Sequence, residues 1–399
     1  MRIMKRNMYL TAKCNSNQVP EVEASNPDCT DDAPDLSISR NWMEHVEEKI
    51  DQGHPGAYDV IRCDLIMKKG SKTGFQIWGA DFHLDRLERS YEVLLNHMIK
   101  GDEEFEKDTK GLNILVDENY VKKARTESVS IMEALLNNMV DQRNEIELLM
   151  DRKENSLNEN TTICEILKLT LLWTPSFVSS SALTQHIVVR GHCSSTGQII
   201  EPHTLPKPIT ATLAVPDLLT EVISKDEIPD RHICPNAKIS SWSSKRRPLE
   251  QKETFMPDGV GEVLLLQQYK GTQTFYVLEG LTSNFFVIYK DGTIRTANDG
   301  ILFGYVRHLV LKVAEEHGLK VDTTHPILLE EACEWEECFI TSSSRLIYPV
   351  EKVLIPDYAH DDANNPGLTW KTFWKERDGG NGEKWKEIYN SILKFGGYH

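Results

Sequence analysis

The chain has 399 residues, 40% hydrophobic and 27% charged, and carries 45 Lys and Arg against 61 Asp and Glu for a formal net charge of -16. That length accommodates two ordinary domains with cores of their own. The negative balance argues against nucleic acid or an anionic membrane as a partner, since either recruits a basic surface. No run approaches the ~18 apolar residues of a membrane span. Eight cysteines lie scattered with no C-x-x-C, so the expected setting is reducing: the cytoplasm, with an organelle as the alternative. "MRIMKRNMYLTAKCN" lacks the apolar core of a secretory signal.

Taken in chain order, residues 1–40, with "SNPDCTDDAPD", are polar, acidic and aperiodic, and are expected to form a disordered arm. From residue 57, "AYDVIRCDLIMKKGSKTGFQIWGADFHLDRLERSYEVLLNHM" reads as strand, turn, strand and helix, the helix marked by Leu84, Leu87, Tyr91 and Leu94. A charged stretch precedes a second helix, "SVSIMEALLNNMVDQ", with Ile131, Leu135, Leu136 and Met139 on one face. "TICEILKLTLLWTP" and "QHIVVRGHC" are strand-like. Residues 41–204 are thus expected to form a small α+β domain.

The proline-rich "EPHTLPKP" is the expected linker. Beyond it, 205–399 should form a larger α+β domain. It opens with the strand "ITATLAVP" and continues through the hairpin "EVLLLQQYKGTQTFYVLEG". A helix follows in "GYVRHLVLKVAEEHG", closed by a glycine cap, and "EKWKEIYNSILKF" forms a C-terminal helix.

Four short signals carry chemistry only in combination. Arg86 follows His83 in "DFHLDRLERS"; alone, it reads as one member of a solvated helix pair. Lys238 ends the segment "PNAK", where the plain reading is a surface lysine. Glu279, in "YVLEGLTSNFFVI", places an acid and hydroxyl groups between two hydrophobic strand segments. "GYVR" at 304–307 and "TSSSR" at 341–345 are donor-rich turns, although a hydroxyl before a helix is ordinarily a cap. A lysine, a carboxylate, an arginine and two such turns are together the parts that hold pyridoxal 5'-phosphate. The amine bonds the aldehyde, the carboxylate keeps the ring nitrogen protonated, and the arginine and turns take the phosphate.

"YVLEGLTSNFFVI" followed by "GILFGYVR" and "CFITSSSRLIYPV" resembles the second half of a class IV aminotransferase. That fold-type IV group includes branched-chain and D-amino-acid aminotransferases and aminodeoxychorismate lyase, and the similarity is greatest to plant branched-chain aminotransferase-like proteins. "DFHLDRLERS" is similar to the family's H-x-x-R-L segment and "GAYDVIRC" to the strand before it; the likeness spans residues 57–95 and 236–355.

The resemblance implies two α+β domains of the D-amino-acid aminotransferase type with the cofactor in the cleft between them, a homodimer, and small-molecule amino acid and 2-oxo acid substrates. It gives Glu279 to the pyridine nitrogen. Arg86, the backbone N–H groups of Tyr305 and Val306, and Ser342 with Ser343 go to the phosphate, and Lys238 to the cofactor aldehyde. Lys245 is the rival lysine, nearer to Glu279; Lys238 is preferred because the excess spacing can fall in the hairpin loop "QYKGTQT", where insertion is cheap. Phe303 and Val306 stand where the family usually has Pro and Thr. The favoured reaction is amino transfer. A lyase of aminodeoxychorismate type and a cofactor-free binding protein are the alternatives. Arg62 is either a substrate-carboxylate contact or an exposed edge charge, and Tyr58 has the same ambiguity.

Overall fold

The computed structural model describes residues 9–13, 21–25, 56–68, 73–101, 118–150, 162–177, 185–201, 204–214, 235–240, 242, 246–251, 256–268, 274–357, 369–377 and 382–398. The chain divides into two units: Met1–Thr204 with the short stretch Ala237–Ser241, and Leu205–Asn236 with Trp242–His399. It changes unit within the proline-rich segment. No composition shift foretells the excursion of 237–241 back into the first unit.

The first unit is built on a sheet of β1 (Tyr9–Lys13), β2 (Glu21–Ser25), β3 (Ala57–Lys68), β4 (Gly74–Ile77), β5 (Thr162–Phe177) and β6 (Gln185–Ile200), in the order β2-β1-β6-β5-β3-β4. Every pairing in it is antiparallel. Side chains alternate across a strand, so Leu167, Leu169, Leu171 and Trp173 of β5 share a face, as do Ala57, Ile61, Cys63 and Leu65 of β3. Helices α1 (Ala80–Gly101) and α2 (Glu118–Met150) cover that face. Leu84, Leu87 and Tyr91 join Ile131, Leu135, Leu136 and Met139 in one core. The Trp173 indole N–H, buried in it, donates to Ser128 Oγ at 2.9 Å, as a buried donor requires.

Two expectations are corrected here. Part of the N-terminal stretch read as a disordered arm is strand: β1 pairs with β6, Tyr9 opposite Ser194, and β2 pairs with β1. Helix α2 begins at Glu118, inside the charged stretch, where Arg125 reaches Asp81 and Asp85 of α1.

In the second unit, the ordered strands are β7 (Ile209–Ala214), β8 (Val260–Gln268), β9 (Phe275–Gly280), β10 (Asn284–Tyr289), β11 (Ile294–Thr296), β12 (Val321–Asp322), β13 (Ile327–Leu328), β14 (Trp335–Ser342), β15 (Leu346–Asp357) and β16 (Thr369–Lys375). From β10 the pairing runs through β14, β15, β7 and β8 to β9, and β9 returns to β10 with Glu279 opposite Asn284. The sheet therefore closes on itself, and it closes at the acid of the "LEGLTSN" motif. Leu213, Leu264, Val277, Phe285, Val287, Ile340 and Val350 share one core cluster. All of β10 is buried, with Phe286 stacked on Phe339 at 4.9 Å. Helices α3 (Tyr305–Glu316) and α4 (Glu383–Phe395) pack on β14. Helix α3 buries Val306, Leu309, Val310 and Val313 as its spacing predicts, and Gly318 follows its C-cap at a φ of 64°. Among the described residues, no helix is long and apolar enough to cross a membrane.

Candidate functional site

In the first unit the candidate residues gather at the start of β3. Lys238 is held by its main chain on both sides: its N–H donates to Ser90 Oγ at 3.0 Å, and its carbonyl accepts from Tyr58 N–H at 2.9 Å. The neighbouring Ile239 bridges to Ala57. Ser240 exchanges bonds with Gly56, through its hydroxyl at 3.0 Å and its N–H at 2.8 Å. The half-buried Lys238 rests its Nζ 4.9 Å from the centroid of the Tyr58 ring, so the surface-lysine reading does not describe it. Lys245 lies outside the described residues.

Arg86 comes from α1, with Ser90 one turn on. Its guanidinium grips Asp59 of β3 side-on, Nε to Oδ2 at 2.8 Å and Nη2 to Oδ1 at 2.5 Å. His83 Nδ1 lies 3.2 Å from the same Oδ1. Burial raises the Asp59 pKa, but the charges of Arg86 and His83 outweigh it and hold the carboxyl well below the usual carboxylate range. Burial lowers the His83 pKa; the charges of Arg86 and Lys238 push the same way, and Asp59 opposes them. Arg86 is therefore a buried member of an ion cluster rather than of a solvated pair. Asp59 is the residue that sequence reasoning missed. Its only signal is position: it shares the pleat face of Ala57 and Ile61, where an acid needs a partner. Arg62 is 3% exposed, bound by Asp64 at 2.7 and 3.2 Å, beside Trp78, which also donates to Asp64 at 2.8 Å. It is no exposed edge charge, and its guanidinium already takes a carboxylate of its own chain.

In the second unit the candidates meet at the sheet closure. Glu279 Oε2 accepts from Asn284 Nδ2 at 3.2 Å and from Leu302 N–H at 3.1 Å. Asn284 also donates to Leu302 O at 2.7 Å and accepts from Gly304 N–H at 3.2 Å, which ties the start of α3 to Glu279. Gly304 is the N-cap, with no side-chain cap bond. A Cβ on it would lie 2.4 Å from Asn284 Oδ1, so only glycine permits that approach. Helix α3 thus starts without a side-chain cap, and a helix start of that kind favours an anion.

On the other side of Asn284 lies Thr341, directly opposite in the ladder. Its hydroxyl is buried and has no partner among the described residues. Ser342 ends β14, Ser343 and Ser344 follow in the turn, and Leu346 opens β15 at a φ of 60°, a left-handed backbone that costs a branched residue about 1–2 kcal/mol. Arg307 donates to Ala297 O and Asn298 Oδ1, both at 2.9 Å. Burial lowers its pKa to about 10, against the charge of Glu279.

Arg345 ends the "TSSSR" turn and points away from anion duty. It donates to Glu262 Oε2 at 2.9 Å, Gly261 O at 3.1 Å and Thr282 Oγ1 at 3.0 Å, and Ser283 Oγ also donates to Glu262, at 2.7 Å. Glu262 of β8 is thus the anchor of both turns. Arg345→Ala should lower the second unit's stability by about 1–3 kcal/mol, the cost of leaving a buried acceptor short of its donor, read as a fall in urea midpoint. A variant within about 0.5 kcal/mol of the native chain would show the clamp to be idle.

Residues 202–353 match the family model of amino-transferase class IV. This segment is similar to class IV aminotransferases. Amino transfer is the chemistry of that class. Among solved structures, the chain is similar to a T.th. branched-chain amino acid aminotransferase with pyridoxamine 5'-phosphate, at a TM-score of 0.50 and 14% identity over 98% of this chain and 94% of that one; this is a likeness of fold. An aminotransferase from Brucella abortus bound to the co-factor PLP gives 0.48 at 14% identity, covering 98% and 99%. The branched-chain enzyme from Escherichia coli gives 0.48 at 17%, covering 88% and 86%. No curated protein matches the chain.

Proposed function

We propose that the chain moves an amino group from an amino acid to a 2-oxo acid using pyridoxal 5'-phosphate, with Lys238 as the residue that bonds the cofactor. The observation that carries this reading is the sheet closure. There a buried carboxylate, an uncapped helix start and the orphaned Thr341 hydroxyl stand around one asparagine. That donor set suits an aromatic nitrogen base carrying a phosphate, so the residues present fit the group.

When bound, pyridoxal phosphate supplies an electron sink for the substrate Cα. Glu279 holds the proton on its ring nitrogen, with Oε2 fixed by Asn284 and Leu302 so that the carboxylate cannot swing away. The Tyr305 and Val306 N–H groups, with Ser342 and Ser343, would hold the phosphate, and Arg86 has its phosphate role from the resemblance alone. The Lys238 amine would move the proton at the substrate Cα. A homodimer is the assembly that the resemblance implies.

Purified protein should turn yellow with added pyridoxal phosphate and melt higher with it. At a hundred times the dissociation constant, a ligand of the folded state adds about 2.7 kcal/mol. Colourless protein with an unmoved melting temperature at saturation would favour a cofactor-free binding protein. A screen of amino donors with 2-oxoglutarate and pyruvate then separates transfer from lyase chemistry.

A further inference from the structure

Ser90 lies inside α1, is 1% exposed, and does nothing for the helix that carries it. Its hydroxyl donates to Arg86 O at 2.8 Å, one turn back along the helix. Such a bond takes a carbonyl the helix already uses and brings no gain in helix stability, and alanine is the better helix former. What the hydroxyl does is accept the Lys238 N–H at 3.0 Å from 148 residues away. The Lys238 carbonyl is pinned independently by Tyr58 N–H, and the Tyr58 ring lies under the amine at 4.9 Å. A main chain fixed at both N–H and C=O leaves the lysine only its side-chain torsions. One hydroxyl therefore joins the carbonyl of Arg86 to the peptide of Lys238.

We infer that Ser90 is a positioning residue for Lys238, setting the point from which its amine swings. The inference rests on the reading that Lys238 carries the cofactor. It goes further by assigning that lysine's aim to a residue that touches neither cofactor nor substrate.

The test compares Ser90→Ala and Ser90→Thr with the native holoenzyme. Ser90→Ala should lower kcat roughly tenfold, the worth of one buried hydrogen bond, with KM within about twofold. It should also speed hydrogen exchange of the Lys238 amide while α1 stays protected. Ser90→Thr keeps the hydroxyl and should recover most of the loss. If Ser90→Ala does not fold, Ser90→Cys, near in size and a weak acceptor, should show the same fall. Native kcat and unchanged Lys238 exchange in the alanine variant would overturn the inference. So would a loss of activity that only tracks a lower melting temperature and that threonine does not restore. Borohydride reduction and peptide mapping of the native holoenzyme separate the two ideas. An adduct on another lysine sinks the reading of Lys238, whereas an adduct on Lys238 with an indifferent Ser90 sinks only the inference.

Discussion

Lys238→Ala is expected to abolish amino transfer, with a fall in kcat/KM of at least about a thousandfold. On the proposed reading the amine serves both as the bond to the cofactor and as the base at the substrate Cα. Proton transfer by a placed side chain is alone worth about 10²–10⁴, and the lost bond adds to it. The fold should survive, because the groups that hold residue 238 in place belong to its main chain: N–H to Ser90 and C=O from Tyr58. The cofactor should still bind through its phosphate and ring, but borohydride should no longer fix it to the peptide that carries residue 238. Lys245→Ala is the control and should keep its activity. The reverse pattern, with Lys245→Ala dead and Lys238→Ala active, would move the role to the rival lysine.

Asp59→Asn should produce the largest loss of stability from a single change among the site residues. Asp59 is fully buried and Arg86 is 5% exposed. Neutralising the acid strands a guanidinium in the core, and breaking a buried pair in this way costs about 3–5 kcal/mol. The carboxyl pKa is depressed on folding from 3.8. Its contribution is therefore fully present above that value and is lost as the pH falls below it toward the folded-state pKa. In urea titrations at falling pH, the native chain should weaken below about pH 4, and the asparagine variant should be weak throughout and lack that part of the acid slope. A variant within about 1 kcal/mol of native at neutral pH would mean that Arg86 finds another partner, and the cluster would not be what holds α1 to β3.

The parts that could be read from the sequence were those with a local pattern. The spacing of Leu84, Leu87 and Tyr91 gives α1, and alternation along β5 gives its buried face. The residues opposed across the sheet closure, Glu279 and Asn284, lie within one short motif. What stayed hidden was settled by distant partners. Strand β1 has its neighbour in β6, Tyr9 opposite Ser194, and no periodicity in five residues announces that. Helix α2 starts early, where Val121 and Ala124 enter the core and Arg125 meets Asp81 and Asp85 on another helix. Asp59, Ser90 and Glu262 each look like an ordinary polar residue until the groups facing them are known. Arg62 misled for the same reason, since its partner is two residues away on the same strand face.

The bonds that fix the lysine also set an order of events in time. Gly56 and Ser240 are 184 residues apart, and Ser90 and Lys238 are 148 apart. Closing loops of that length costs entropy that only a formed docking surface repays. The sheet and helices of the first unit contain all their own residues by position 204 and can assemble first. The stretch 237–240 joins the start of β3 through the Ala57–Ile239 bridge and the bonds of Lys238 and Ser240. On a ribosome that chain is made only after the first unit's continuous segment has emerged. A chain at that length already holds the residues of the first core and lacks residue 238. On the proposed reading, the lysine that bonds pyridoxal phosphate is thus made after the core that positions it.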